Sequence, residues 1–295
     1  MLGLGTALAG GFLGGGPPFS LKLDGTDDHM RVAHNASMKP TAGITVSGWV
    51  NLDLDQGATG WVNPDGDSDH DEYLIGTIAS GGWGMYFSYS GTSANPKTEI
   101  KAIINVNDSG SGSAGYVTAK WGGTTSTTST TALHEIKDFT GWIHMAFTYD
   151  GAIVKLYING NSDLFEGDVD TSGTQVIDTG VTGKAARYTV NTPVLIGADA
   201  VNSGTSAQNV LAGGLIDDVA IWSAAVDSDG VAAIYNSGKA GLNLLAASGN
   251  YDNEADLEAW WKFEEGKGTT VADSSSNSNE GALINSPSFS DNTSE

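Results

Sequence analysis

A chain of 295 residues with 35 acidic and 13 basic side chains carries a formal charge of −22. That surface repels phosphates and anionic headgroups, which excludes nucleic acid and membrane insertion as expected partners. Cysteine is absent, so thiol catalysis and Cys-based zinc sites are excluded, and folding in a reducing compartment is favoured.

Residues 1–19, MLGLGTALAGGFLGGGPPF, contain no charged side chain and are broken by glycines. Ala7-Leu8-Ala9 imitates a cleavage signal, but no Lys or Arg precedes it. The apolar run is too short and too glycine-rich for a signal peptide or a membrane span. An uncleaved N-terminal arm is expected. Its anchors Leu2, Leu4, Leu8, Phe12 and Leu13 would be covered by docking into a larger assembly.

From Ser20 the punctuation is that of short strands and turns. Ile44–Leu52 alternates, with Ile44, Val46, Val50 and Leu52 on one face. Tyr73–Ala79, Trp83–Tyr89 and Ile100–Val106 are further strands. In residues 141–161, Asp150-Gly151 and Asn159-Gly160 are hairpin signals between β-rich runs, predicting three consecutive antiparallel strands. Residues 57–71 and 122–131 are polar excursions. In GLIDDVAIWSAAV (214–226) strict alternation would turn Asp217 into a buried face and leave Asp218 in solvent. A short helix follows, capped by Asp227 or Ser228 and ended by Gly238. LEAWWKF (257–263) is a late strand. The reading is all-β: one antiparallel two-sheet sandwich over residues 20–295, with 241–295 as its closing segment.

Candidate chemistry is sparse. Asp65, Asp67, Asp69 and Asp71 alternate as in calcium loops, but the glycine and terminal glutamate of an EF-hand are missing. Glu254, Asp256 and Glu258 have the E-x-D-x-E spacing of two-carboxylate glycosidases, yet they precede the apolar run instead of lying within it. His29, His34, His70, His134 and His144 form no recognisable pair with a nucleophilic serine, and His144 reads as a packing residue. Trp61, Trp83 and Trp121 lie in or beside loops, where a flat indole face can stack on a sugar ring.

Five stretches together carry a resemblance: SLKLDGTDDHMRVAH (20–34), ITVSGWVNL (44–52), GWIHMAFTYDGAIVKLYINGN (141–161), GGLIDDVAIWSAAV (213–226) and WWKFEEGKGTTVADSSSNSNEGAL (260–283). They resemble the laminin G-like group of the concanavalin A-like lectin/glucanase superfamily. The resemblance implies a jelly roll, often calcium-binding, used in carbohydrate or protein adhesion and catalytic in some members. It implies calcium on Asp217, completed by backbone carbonyls at Asp24 and Gly25. The alternative is an Asp217 that hydrogen-bonds nearby backbone amides. One departure is that the Trp-x-Phe-x-Glu-Gly and Asp-Ser-Ser segment, which usually opens such domains, here closes the chain. The Gly-rich start and Ser/Asn-rich end look like laminin G-like domains in phage structural proteins. The expected role is therefore a non-enzymatic virion protein, a homo-oligomer held by its arm, with cell-surface glycans as possible partners. The alternatives are an extracellular bacterial lectin or adhesin and a glycoside hydrolase.

Overall fold

The computed structural model describes residues 19–52, 70–78, 81–92, 95–107, 114–121, 141–161, 176–178, 183–188, 191–201, 206–239 and 241–291. In chain order the strands are β1 (Ser20–Leu23), β2 (His29–Val32), β3 (Ile44–Leu52), β4 (His70–Gly76), β5 (Trp83–Thr92) and β6 (Asn95–Asn107). Next come β7 (Ala114–Trp121), β8 (Trp142–Tyr149), β9 (Ile153–Ile158), β10 (Val176–Asp178), β11 (Val194–Ile196) and β12 (Asp199–Val201). The rest are β13 (Ser206–Gln208), β14 (Gly214–Trp222), β15 (Leu257–Trp261), β16 (Thr270–Val271), β17 (Gly281–Ile284) and β18 (Ser288–Ser290), with helix α1 (Ser228–Asn236) between β14 and β15.

Two antiparallel sheets face each other. The first runs β10-β9-β8-β3-β14-β1-β18, with β15 also paired to β14. The second runs β16-β17-β2-β11-β4-β5-β6-β7. This is the sandwich expected from the alternation of apolar residues. Ile44, Val46 and Val50 of β3, with Ile143, Met145 and Phe147 of β8, turn into the space between the sheets. Ile100, Ala102 and Ile104 of β6 meet them from the other side. The β8–β9 turn is built as its sequence requires. Asp150 Oδ1 accepts from the Ala152 and Ile153 amides at 2.9 and 2.8 Å, and Gly151 takes φ +88°.

The first sheet has a second apolar layer on its outer face. Tyr157, Ala220, Trp222 and Trp260 pack there beneath Val231 and Ile234 of α1 and Leu244, Tyr251 and Leu257 beyond it. Trp222 Nε1–H donates to Tyr251 Oη at 3.0 Å, whose hydroxyl donates to the Leu244 carbonyl at 2.8 Å. Polar atoms in this layer are thus satisfied, as burial demands. The helix starts where expected, with the Asp227 carboxylate accepting from the Gly230 amide at 2.7 Å.

The segment after α1 serves both sheets. β15 pairs the second half of β14, β17 pairs β2, and β18 pairs β1 with Leu21 opposite Phe289. No helix among the described residues is long and apolar enough to cross a membrane.

Candidate functional site

The aspartate pair in β14 sits on a register break. Asp217 pairs Trp49 and Ala220 pairs Ser47, so the two strands slip between these positions. Ile216 and Val219 both enter the inter-sheet core, which leaves two residues between consecutive inward side chains. Strict alternation fails at such a bulge. Asp218 adopts φ +49°, and its Oδ1 accepts the Trp260 indole N–H at 2.8 Å. The expected division into one inward and one solvated aspartate is therefore corrected. Asp217 is on the outer face of the sheet and is 1% exposed, covered from the α1 side.

Asp217 is held by its neighbours. Its Oδ2 accepts from the Ser20 hydroxyl at 2.9 Å, and its Oδ1 accepts from the Asp218 amide at 2.9 Å. The Lys239 ammonium lies 3.9 Å away and also caps the Trp142 ring at 3.3 Å from its centroid. Burial, then the Asp218 charge, push the Asp217 carboxyl up to about 8, against the pull of Lys239 and Ser20. This arrangement bolts the start of β1 to the bulge of β14.

The metal shell implied by resemblance does not assemble around Asp217. In the β1–β14 register, Leu23 pairs Gly214 and Leu21 pairs Ile216. Asp24 and Gly25 therefore lie past one end of β1, while Asp217 lies beside Ser20 at the other. Four strand residues separate them, roughly 13 Å. Gly25 takes φ +77° in the β1–β2 turn, where a Cβ would strike the Ala212 carbonyl.

The sugar platforms change as well. Trp83 is 0% exposed, and its indole N–H donates to the Met38 carbonyl at 3.3 Å. Trp121 is 3% exposed in the same inter-sheet core. Neither offers a face to a ligand. They looked loop-borne because glycines adjoin them, but they are the first residue of β5 and the last of β7. Trp61, with Asp65, Asp67 and Asp69, lies outside the described residues. Among the described tryptophans only Trp142 is not buried, and Lys239 covers it. Among the described residues Tyr116 on β7 is the exposed large aromatic, at 50%.

The acid/base constellations are tied into the fold. Glu254 and Asp256 occupy a 3-10 turn, not a strand, so they do not share a pleated face with Glu258. The Glu258 carboxylate accepts from Asn277 Nδ2 at 2.8 Å. Sequence reading missed one pair: Ser47 Oγ lies 2.8 Å from His144 Nε2. The two residues stand diagonally across the β3–β8 ladder on one face, a relation that the alternation of both strands contains. His144 is fully buried against the rings of Trp49 and Tyr235, and burial pushes it down to about 3. A catalytic histidine needs its second nitrogen oriented by an acceptor. Here Nδ1 is buried without a partner.

A two-sheet antiparallel jelly roll with a helix on its outer face defines the class. Residues 24–232 match the family model described as the concanavalin A-like lectin/glucanases superfamily, and the chain belongs to that superfamily. Among solved structures it is similar to a heptameric SAP-like pentraxin from Limulus polyphemus. The identity is 12%, covering 75% of this chain and 83% of that one, with a TM-score of 0.43. It is also similar to domain 4 of AbnA, an extracellular GH43 arabinanase from Geobacillus stearothermophilus, in complex with arabinotriose. There the identity is 18%, over 75% and 82% of the two chains, with a TM-score of 0.32. No curated relative matches the chain.

Proposed function

We propose that this chain is a non-catalytic jelly-roll module with a structural and adhesive role in a virion, facing a carbohydrate or protein surface. The observation that carries the reading is the state of its enzyme-like groups. Glu258 is clamped by Asn277, Glu254 and Asp256 sit in a turn, and the Ser47–His144 pair is sealed under aromatic rings. Membership of a lectin-containing superfamily supports the adhesive side of the proposal. The charge of −22 suits a protein displayed at high local density, since like charges keep copies soluble.

Two experiments test it. Incubated with laminarin, lichenan and agarose, the protein is expected to release no more reducing sugar than its Glu258→Gln variant. Release that the variant loses would make the chain a glycosidase. Deletion of residues 1–16 is expected to leave far-ultraviolet circular dichroism and melting nearly unchanged while abolishing incorporation into the particle. The rationale is chemical: apolar anchors on a glycine-rich tether gain from burial in a partner's groove. Full incorporation of the truncated chain would remove the docking role. Loss of folding would show that the arm packs on its own sandwich.

A further inference from the structure

The loop that joins α1 to β15 holds a leucine out in water. Leu245 is 50% exposed, and Ala246 and Ala247 beside it are exposed as well. Among the described residues Leu245 and Tyr116 are the exposed large hydrophobic side chains. The loop is braced on both sides of Leu245. Leu244 and Tyr251 are buried in the outer layer of the first sheet. The Asn243 side chain accepts the Leu245 amide at 3.2 Å, and the Asn243 carbonyl accepts the Ala246 amide at 3.2 Å. Ser248 and Tyr251 exchange both backbone hydrogen bonds, at 2.8 and 3.0 Å. An apolar side chain already fixed on its backbone loses little further freedom on binding.

Beside this loop is an open groove of about 440 Å³. Ala232 and Ala233 of α1 line it, together with Leu242 and Gly249 of the loop. Alanine and glycine in its walls leave the space that larger residues would fill. A second observation concerns charge. From Gly230 to Tyr251 the chain has one charged side chain, Lys239, and no acid. The Lys239 ammonium is seated over the Trp142 ring and near Asp217. This stretch therefore stands apart from a chain whose net charge is −22.

We propose that this face pairs with a second copy of the same chain, each Leu245 entering the groove between α1 and the loop of its partner. Two copies of so acidic a chain repel each other over most of their surfaces. They approach at least cost where acid is absent. A cationic partner would be drawn to the acidic surfaces and not to this one. Plug and groove also belong to one loop, with Leu245 midway between the groove residues Leu242 and Ser248. A two-fold contact needs that arrangement, because the patch that gives is also the patch that receives. Burial of Leu245 and its neighbouring alanines drives the contact, and Asn236 and Asn250 at the groove supply a polar rim. Asp229 also lines the groove, so some repulsion between copies persists and salt should screen it. Stable interfaces take roughly 20–30 residues a side. The exposed members of this stretch are fewer, and the pairing is accordingly weak, in the micromolar range. It is independent of the N-terminal arm.

Sedimentation velocity of the full chain over a concentration series tests the proposal. A reversible monomer–dimer equilibrium is expected, tightening as salt is raised. Leu245→Glu and Ala232→Glu should each weaken dimerisation at least about tenfold, with melting in dilute solution unchanged. The absence of cysteine allows a second measurement. A mildly oxidised mixture of Leu245→Cys and Ala232→Cys chains should form a disulfide-linked pair, whereas Leu245→Cys mixed with Tyr116→Cys should not. A monomer up to millimolar concentration, or a dimer that salt weakens, would overturn the proposal. So would a dimer kept in Leu245→Glu, which would move the contact to the arm or another face. If Ala232→Glu does not fold, the cysteine mixtures decide the matter.

Discussion

Asp273→Ala is expected to lower the unfolding free energy by about 3–4 kcal/mol, measured by urea titration followed through tryptophan fluorescence. One carboxylate here serves four donors. Oδ1 accepts from the Trp260 and Ser275 amides at 2.9 and 2.8 Å; Oδ2 accepts from the Ser275 hydroxyl at 2.7 Å and the Asn279 amide at 2.8 Å. Asn279, positioned this way, accepts the Trp261 indole N–H on its carbonyl at 2.7 Å and receives Asn35 Nδ2 on its side chain at 2.7 Å. Alanine leaves the backbone amides without acceptors and frees the turn that aligns β15 with β17. Each stranded donor costs about 1–3 kcal/mol, reduced where water reaches it. Asp273→Asn, which keeps one acceptor oxygen, should fall between wild type and alanine. A loss below about 1 kcal/mol for alanine would mean that solvent replaces the carboxylate.

Asp217→Asn is expected to stabilise the protein at pH 8 and to remove much of its pH dependence below that. The folded Asp217 carboxyl is raised from 3.8 to about 8, so between these values the folded chain holds a proton that the unfolded chain has released. Stability therefore falls as pH rises from about 4 to about 8. The difference between wild type and variant should be small near pH 4 and grow to a few kcal/mol at pH 8. Asparagine can still accept from the Asp218 amide and can donate to Ser20 Oγ, so the packing survives. Thermal melts at four or five pH values in constant ionic strength provide the comparison. Parallel curves for the two proteins would show that Asp217 is ionised in the folded state across the whole range.

Regular segments were legible from residue pattern. Ile44–Leu52 forms β3 with the bounds expected, because alternation and β-branched residues agree there. Asp227 caps α1 through the hydrogen bond its position implies. The bulge was harder to see, yet its trace is present: Ile216 and Val219 are three apart where a pleat demands two. That slip places both aspartates outward. Trp83 and Trp121 adjoin glycine, which in sequence signals a loop, while strand ends in a sandwich also supply core residues.

The pairing of β18 with β1 sets an order on synthesis. Ser20 faces Ser290 across the ladder, and β17 reaches back to β2, so the first strands of the sandwich gain their last neighbours from residues made some 270 positions later. Contacts of such long sequence separation form slowly, because the loop they close must be ordered first. During translation β2 keeps an open edge until Ile284 has left the ribosome, and β1 until Ser290 has. The emerging chain is thus exposed to strand pairing with its neighbours on the same message, and its dense negative charge acts against that pairing.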